Sequence, residues 1–214
     1  MPIRVLIADD HAIVLEGLRA TLASTADIHI VAQVRNGLEV VRRAGELRPD
    51  VVMMEVVLPE LNGIDATQAI RKTCPSSRVV ILSIHSGGEY VYRALRAGAD
   101  GYVVKDAEPA EIAGAIRAVH SGRRYLSGGV TDFIIEDIVS GEEMRSPLEK
   151  LSVRERQILQ LVVESRTSAD VARLLAISVK TVDTYRSRLM GKLGVKDVQG
   201  MVKFAIRYGL TSPW

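Results

Sequence analysis

Short runs of β-branched and other aliphatic residues alternate along residues 1–121 with longer stretches whose apolar residues recur every three or four positions. The first pattern is typical of strands buried on both faces, and the second of amphipathic helices packed on a sheet. The predicted strands are Ile3–Ala8, Ile28–Val34, Val51–Met54, Arg78–Ser83 and Gly101–Lys105, and the predicted helices are Ile13–Ala23, Leu38–Leu47, Ile64–Lys72, Glu89–Ala97 and Ala110–Ser121.

Polar residues stand at the ends of four of these strands. Asp9 and Asp10 follow the first strand, Glu55 follows the third, and Ser83 and Lys105 end the fourth and fifth. Five strand–helix units with right-handed crossovers form an α/β fold, a doubly wound five-stranded parallel sheet with helices on both faces. Because the carboxyl ends of parallel strands meet at one edge of such a sheet, these side chains are expected to converge in one crevice.

Three carboxylates, a hydroxyl and an ammonium in one crevice suit the binding of a divalent cation and a phosphoryl group. Mg²⁺ prefers a few carboxylates together with waters and phosphate oxygens. Ser83 and Lys105 are expected to donate to phosphoryl oxygens. The alternative is a buried ion-pair network without a ligand, which the agreement of four strand ends disfavours. The expected metal ligands are Asp9, Asp10, Glu55 and the main-chain carbonyl near Val57.

The chain after residue 121 follows a different pattern. Gly122–Pro147 has the composition of a connector, with one short helical pattern around Asp132–Val139, and the remainder of the chain contains helical patterns and no strand pattern. The sequence therefore predicts a first domain at residues 1–121, a linker at 122–147 and an all-α domain at 148–214.

Two capping boxes mark helix starts in the last of these regions. Ser152 pairs with Glu155, and Thr167 pairs with Asp170. Two helices joined by a short turn then form a helix-turn-helix. The predicted helices are Val153–Glu164, Ser168–Leu175, Val179–Leu193 and Val198–Tyr208.

The helix predicted at Val179–Leu193 has an apolar face and a polar face. Val182, Tyr185, Leu189 and Leu193 form the apolar face. A polar face of this kind can lie in the major groove of double-stranded DNA, although a solvated basic helix would have the same pattern. The expected base contacts are Asp183, Thr184 and Ser187, and the expected phosphate contacts are Lys180, Thr181, Arg186, Arg188 and Lys192.

The net charge of +2 conceals a difference between the two parts of the chain. Residues 1–147 carry 16 basic and 20 acidic side chains, a net charge of −4, whereas residues 148–214 carry 12 basic and 6 acidic side chains, a net charge of +6. This asymmetry favours a regulatory domain joined to a nucleic-acid binder, although unevenly charged solvated surfaces are an alternative. One cysteine, Cys74, excludes a disulfide framework, and no apolar run reaches transmembrane length, so a cytoplasmic protein without membrane contact is expected.

Two sets of motifs resemble a known family. The first set resembles the receiver domain of two-component response regulators, and the second resembles the LuxR-type DNA-binding domain. Together they cover nearly the whole chain in the family's order and point to the NarL/FixJ class. The receiver motifs are Asp9-Asp10-His11, Glu55–Gly63, Ser83 and Gly98–Lys105, and the DNA-binding motifs are Leu151–Gln157, Val171-Ala172, Ile177–Val182 and Lys192–Val195.

The resemblance implies a transcription factor rather than an enzyme. A histidine kinase would pass a phosphoryl group to the side chain at position 55, Ser83 would follow that group, and Tyr102 would turn inward. DNA binding would then change. Dimerisation through the last helix resembles family practice and would match palindromic or repeated half-sites, whereas packing of that helix only on its own domain is the alternative. The expected dimer contacts are Val198, Met201, Val202 and Ala205.

Glu55 departs from the family, whose phospho-acceptor is aspartate. The extra methylene moves the carboxylate outward by about 1.5 Å, so an acyl phosphate on it would be misplaced against the metal, Ser83 and Lys105. We therefore expect little or no phosphorylation. Two interpretations remain open: Glu55 acts as a permanent partial mimic of the phosphorylated state, or it fills the pocket and leaves the domain inactive. One carboxylate carries a single negative charge, against nearly two for a phosphoryl group.

Two other functions deserve comparison. Phosphatases with an aspartyl nucleophile also use strand-end carboxylates and Mg²⁺, but they need a carboxylate two residues after the nucleophile, where this chain has Val57. A receiver-containing signalling protein that works through protein contacts, independently of phosphorylation, would use its basic part to bind an acidic partner. The capping boxes of the helix-turn-helix disfavour that second alternative.

Overall fold

The computed structural model describes residues 1–131 and 146–211. Its first part is one parallel sheet in the order β2-β1-β3-β4-β5-β6. The order changes direction at β1, and the crevice between β1 and β3 is where doubly wound sheets bind ligands. The strands are β1 (Ile3–Ala8), β2 (Ile28–Val34), β3 (Val51–Met54), β4 (Arg78–Ser83), β5 (Gly101–Val104) and β6 (Tyr125–Leu126), and the helices are α1 (Ala12–Ala23), α2 (Gly37–Leu47), α3 (Gly63–Thr73), α4 (Gly88–Ala97) and α5 (Pro109–His120).

Helices cover both faces of the sheet. Apolar residues of α1 and α5 pack on one face, and those of α2, α3 and α4 pack on the other. All four residues of β3 are buried, which explains why its sequence lacks the alternation of a half-exposed strand. The doubly wound α/β fold expected from the sequence is confirmed.

The structure adds an edge strand to the five that were predicted. Tyr125 and Leu126 pair in parallel with Gly101 and Tyr102 of β5. A two-residue strand is too short to leave a periodic signal, so the sequence assigned this segment to the connector. The helical pattern predicted around Asp132–Val139 lies outside the described residues.

The second part is helical, as predicted. Both capping boxes are present, at Ser152 with Glu155 and at Thr167 with Asp170. No helix in residues 1–131 and 146–211 has the length and apolar character needed to cross a bilayer. After a 3₁₀ turn at Pro147–Lys150, the helices are α6 (Val153–Val163), α7 (Ser168–Leu175), α8 (Val179–Leu193) and α9 (Val198–Arg207).

The two parts contact each other through the segment after β3 and through α6. The Gln160 amide nitrogen donates to the Leu58 carbonyl at 2.6 Å, and the Asn62 N–H donates to Gln160 Oε1 at 2.7 Å. Arg156 Nε lies 3.0 Å from each carboxylate oxygen of Asp65. Gln160 is 1% exposed and Asp65 is 3% exposed, so this polar contact is buried. The helical part therefore packs against the segment that directly follows Glu55.

Candidate functional site

The Glu55 carboxylate lies at the centre of the strand-end crevice and is 5% exposed. Its Oε1 accepts hydrogen bonds from Ser83 Oγ at 2.6 Å and from the Val56 N–H at 2.6 Å. Its Oε2 lies 2.6 Å from Lys105 Nζ. A hydroxyl, a main-chain N–H and an ammonium thus converge on one carboxylate, because each lies at the carboxyl end of a parallel strand of the same sheet.

Lys105 bridges two carboxylates of the crevice. Its Nζ lies 2.5 Å from Asp9 Oδ2 and 2.6 Å from Glu55 Oε2, and Asp9 is fully buried. Burial alone would lower the pKa of the Lys105 ammonium, but the adjacent Glu55 and Asp9 carboxylates outweigh burial and raise the pKa. Lys105 is therefore a cation throughout the physiological range, and it neutralises part of the charge in the crevice.

An acidic cluster at the end of β1 fits a divalent cation. Asp9, Asp10 and His11 each place one ligand atom within 4.8 Å of the others. Asp10 Oδ1 is buried and lies 2.9 Å from His11 Nδ1. Hard carboxylate oxygens with spare lone pairs are the ligands that Mg²⁺ prefers.

Glu55, one of the predicted metal ligands, is bonded to other groups of the crevice. Both Glu55 oxygens are engaged by Ser83, Val56 and Lys105, so Glu55 stands apart from the cluster that has metal-ligand spacing. His11, to which the sequence assigned no role, belongs to the cluster instead.

A cavity of about 520 Å³ opens over this crevice. Asp10, Glu55, Val57 and Lys105 line it from the first part of the chain. The second part of the chain also lines this cavity, through Ile206, Gly209 and Thr211. The end of the helical part therefore covers the approach to position 55.

Tyr102 points inward, and its side chain is fully buried. Its hydroxyl donates to the His85 carbonyl, in the segment between β4 and α4. Burial raises the pKa of the Tyr102 phenol, so the hydroxyl stays protonated as a donor. The inward Tyr102 ring and the Ser83 hydroxyl bonded to Glu55 occur together in this structure.

The polar face of α8 is exposed to solvent. Val182 and Leu189 are fully buried, and Tyr185 and Leu193 pack against the same core, as the predicted apolar face requires. The exposed residues of the helix include six that were predicted to contact DNA: Lys180, Asp183, Thr184, Ser187, Arg188 and Lys192.

Three of the predicted DNA contacts bond to side chains of other helices. Asp183 Oδ1 accepts from Ser168 Oγ at 2.8 Å, and Arg186 Nη1 donates to the same hydroxyl at 3.0 Å. These bonds join the start of α7 to the middle of α8 and fix the angle of the helix-turn-helix. Lys192 Nζ lies 2.7 Å from an oxygen of Glu155, the capping residue of α6.

The last helix uses part of its apolar surface internally. Met201 and Ala205 are fully buried in the core of the helical part, where α9 packs on α6. These two side chains cannot meet a partner in this conformation, so the structure removes them from the expected dimer contacts. Val198 is 37% exposed and Val202 is partly exposed.

We expect the Lys192→Gln substitution to lower the stability of the helical part by up to about 1 kcal/mol, because Lys192 is 45% exposed and solvent screens its ion pair. Its hydrogen bond to Glu155 lowers the pKa of that carboxyl. A lowered carboxyl pKa stabilises the fold above the ordinary value near 4.5 and loses that effect as the pH falls. The midpoint of thermal unfolding should therefore be lower for the variant than for the parent at pH 7, and this difference should shrink in acid. Lys180→Gln, on the exposed face, should leave the midpoint unchanged.

Residues that join the two parts of the chain were missed by the sequence analysis. Asp65, Arg156 and Gln160 occupy polar positions of helices and would ordinarily be assigned to solvent. Their partners lie 91 to 102 residues away along the chain, so no local pattern marks them. Buried polar groups of this kind indicate a specific contact, since each needs a partner.

Comparison with known proteins identifies both parts. Residues 5–117 match the response regulator receiver domain, and residues 149–205 match bacterial regulatory proteins of the luxR family. The transcriptional regulatory protein MctR of Rhizobium johnstonii is 37% identical over 98% of this chain and 96% of its own length. The response regulator GacA of Pseudomonas viridiflava is 35% identical over 97% of each chain.

A solved structure agrees with these relatives. A LuxR-family two-component response regulator from Aurantimonas sp. SI85-9A1 superposes with a TM-score of 0.63 at 37% identity, covering 65% of this chain and 99% of that chain. The strand-end crevice occupies the receiver match, and the helix-turn-helix occupies the luxR match. Because both domains occur in one order and relatives align along nearly the whole length, the chain belongs to the LuxR family of two-component response regulators.

Proposed function

We propose that this response regulator binds double-stranded DNA as a homodimer and that its receiver is set by Glu55 rather than by phosphorylation. The observation that carries the proposal is the capture of the Glu55 carboxylate by Ser83, Lys105 and the Val56 N–H. These are the kinds of donors that would stabilise a phosphoryl group at this position. With these groups bonded to Glu55, they are not free to hold a second anion in the same way.

Glu55 acts in this proposal as a partial mimic of the phosphorylated state. It draws the Ser83 hydroxyl to itself, and Tyr102 is turned inward beside it. A carboxylate supplies one negative charge and two oxygens, whereas a phosphoryl group supplies nearly two charges and three oxygens, so the mimicry is incomplete. A histidine kinase remains the expected partner of the receiver surface, without productive transfer to this side chain.

Mg²⁺ is the proposed cofactor of the receiver. Asp9 and Asp10 would hold it, with His11 and the main chain at Val57 beside them. The cation would neutralise the crowded carboxylates, which otherwise repel one another. Lys105 already supplies part of that neutralisation.

DNA recognition is assigned to α8. Thr184 and Ser187 are proposed to meet base edges, with Asp183 accepting from a cytosine amino group, and the basic residues are proposed to meet phosphates. Asp183 and Arg186 each bond the Ser168 hydroxyl and so also join α8 to the start of α7. Val198 and Val202 on α9 are proposed to form the dimer contact, which places two α8 helices on palindromic or repeated half-sites. The proposed phosphate contacts are Lys180, Thr181, Arg186, Arg188 and Lys192.

A salt titration of DNA binding tests this function. Each Lys or Arg that neutralises a phosphate contributes about 0.9 to the slope of log affinity against log salt concentration, so Arg188→Gln should reduce the slope by about one. Ser187→Ala should keep the slope and change the preferred sequence. Affinity that does not fall with salt, or an Arg188→Gln variant with the parent slope, would contradict DNA binding through α8.

A further inference from the structure

A second cavity, of about 360 Å³, lies between the receiver and the helical part. It shares no lining residue with the cavity over the strand-end crevice. Helices α3 and α4 form its receiver side, and the 3₁₀ turn and α6 form the other side. Its volume is within the range of sites that hold small ligands. The charged side chains that line it are Asp65, Arg93, Arg96, Glu149 and Arg156.

The most buried arginine of this lining is Arg93, which is 8% exposed. Within residues 1–131 and 146–211 it makes one hydrogen bond, from Nη1 to the Tyr208 carbonyl at 2.9 Å, and no ion pair. A guanidinium has five N–H donors, and buried charges are ordinarily paired. Burial lowers the pKa of this guanidinium, and the charges of Glu89 and Asp65 offset burial only in part. The cavity therefore has a buried cation with donors to spare.

Arg96 adds a second positive charge to the same wall of the cavity. It follows Arg93 by three positions on α4, so the two side chains share one face of the helix. Its Nη1 lies 3.6 Å from Glu149 Oε1, and its side chain is 62% exposed. An exposed ion pair of this length is weak, so an anion in the cavity can compete for the Arg96 guanidinium.

The two carboxylates of the lining restrict what the cavity can hold. Asp65 is 3% exposed, and Arg156 Nε lies 3.0 Å from each of its oxygens, so these two charges offset each other. The Glu149 side chain is 36% exposed and can accept from a hydroxyl group. With three arginines and two carboxylates, the lining keeps one net positive charge. Because the planar guanidinium fork matches phosphate oxygens, a phosphate with hydroxyl groups suits this lining better than a bare anion.

We propose that this cavity binds a small phosphate monoester that carries hydroxyl groups, of which a sugar phosphate is the simplest kind. Arg93 and Arg96 donate to the phosphoryl oxygens, and Glu149 accepts from a ligand hydroxyl. A phosphoryl group alone fills only part of the cavity, so the rest of the ligand lies against Ile64 and Leu148. The site is independent of the functions proposed for the strand-end crevice and for α8.

Calorimetric titration of the full chain at constant ionic strength tests the site. The probe is ribose 5-phosphate, ribose is the uncharged control, and inorganic phosphate is the control without hydroxyl-bearing carbons. We expect ribose 5-phosphate to bind one site per chain, inorganic phosphate to bind about tenfold more weakly, and ribose not to bind. Absence of saturable binding of ribose 5-phosphate would overturn the proposal.

Substitutions of the two arginines locate the binding. Arg93→Gln and Arg96→Gln should each weaken ribose 5-phosphate binding by about tenfold or more, because each removes a charged hydrogen bond to the phosphate. Arg19→Gln is the matched control for Arg96→Gln, since the Arg19 side chain is 60% exposed and pairs with Glu16 on another receiver helix. It should keep the parent affinity. Equal affinities of Arg96→Gln and Arg19→Gln would contradict the site.

Glu149→Gln distinguishes a lost contact from general damage to the fold, because it should change binding in the opposite direction. It removes a negative charge beside the phosphoryl group, so inorganic phosphate should bind about threefold more tightly. Weaker binding of inorganic phosphate to Glu149→Gln than to the parent would place the anion elsewhere and overturn the proposal.

Discussion

Glu55→Asp is expected to restore phosphoryl uptake by the receiver. Shortening the side chain withdraws the carboxylate by about 1.5 Å and frees Ser83 and Lys105 to receive phosphoryl oxygens. A displacement of that size from a reactive geometry changes transfer rates by orders of magnitude. Incubation with a small phosphodonor and Mg²⁺, followed by intact-mass measurement, should show one added phosphoryl group on Glu55→Asp and none on the parent.

The same variant decides between the two interpretations of Glu55. A partial mimic requires the untreated parent to resemble phosphorylated Glu55→Asp in its radius of gyration, dimerisation and DNA affinity. A side chain that only fills the pocket requires the parent to resemble unphosphorylated Glu55→Asp. Glu55→Gln is the matched control, because it keeps the length and removes the charge that holds Lys105 at 2.6 Å. Phosphorylation of the parent at the rate of Glu55→Asp would contradict the proposed role of Glu55.

The crevice could be predicted from the sequence because its chemistry is tied to strand ends. Ser83 ends β4, and Lys105 directly follows β5, so parallel pairing alone brings them toward Glu55. The helix starts at Ser152 and Thr167 were equally predictable, since a capping box depends on two residues three positions apart. Each of these predictions rests on a local pattern whose geometry is nearly fixed.

The burial of Met201 and Ala205 inside their own domain could not be predicted in the same way. The periodicity of α9 identifies its apolar residues, but it does not divide them between the core of the domain and a partner. The extent of the core depends on α6, whose Leu159 and Val162 belong to the same buried cluster. The part of the α9 surface that is left for dimerisation therefore depends on tertiary packing.

The contact between the domains could not be predicted from the sequence either. Gln160 bonds to the Leu58 carbonyl and to the Asn62 N–H, and neither main-chain group has a side-chain signature. A glutamine in α6 has the same pattern whether it faces solvent or another domain. Its full burial in the structure shows which of the two applies, because a buried amide needs bonds for both of its polar atoms.

The buried ion pair between Asp65 and Arg156 carries the largest expected effect on domain docking. Asp65 is 3% exposed, and the Arg156 side chain is 17% exposed, so solvent screens the pair weakly. Asp65→Asn keeps the shape of the side chain but leaves the Arg156 guanidinium without its counter-charge inside the interface. Removal of one partner from a buried pair costs about 3–5 kcal/mol, and most of that cost falls on the docked state because an open domain exposes Arg156 to water.

We therefore expect Asp65→Asn to shift docking toward the open form by about two orders of magnitude or more, since each 1.4 kcal/mol is about tenfold. Hydrogen exchange at residues 58–62 and 156–164 should accelerate, while the strands of the sheet keep their protection. Asp27→Asn is the matched control, because Asp27 bonds Arg117 in an exposed pair within the receiver. The exchanged pair Asp65→Arg/Arg156→Asp should recover part of the docking, since the opposite charges face each other again. Unchanged exchange at the interface of Asp65→Asn, or equal opening by the Asp27 control, would show that this pair does not hold the domains together.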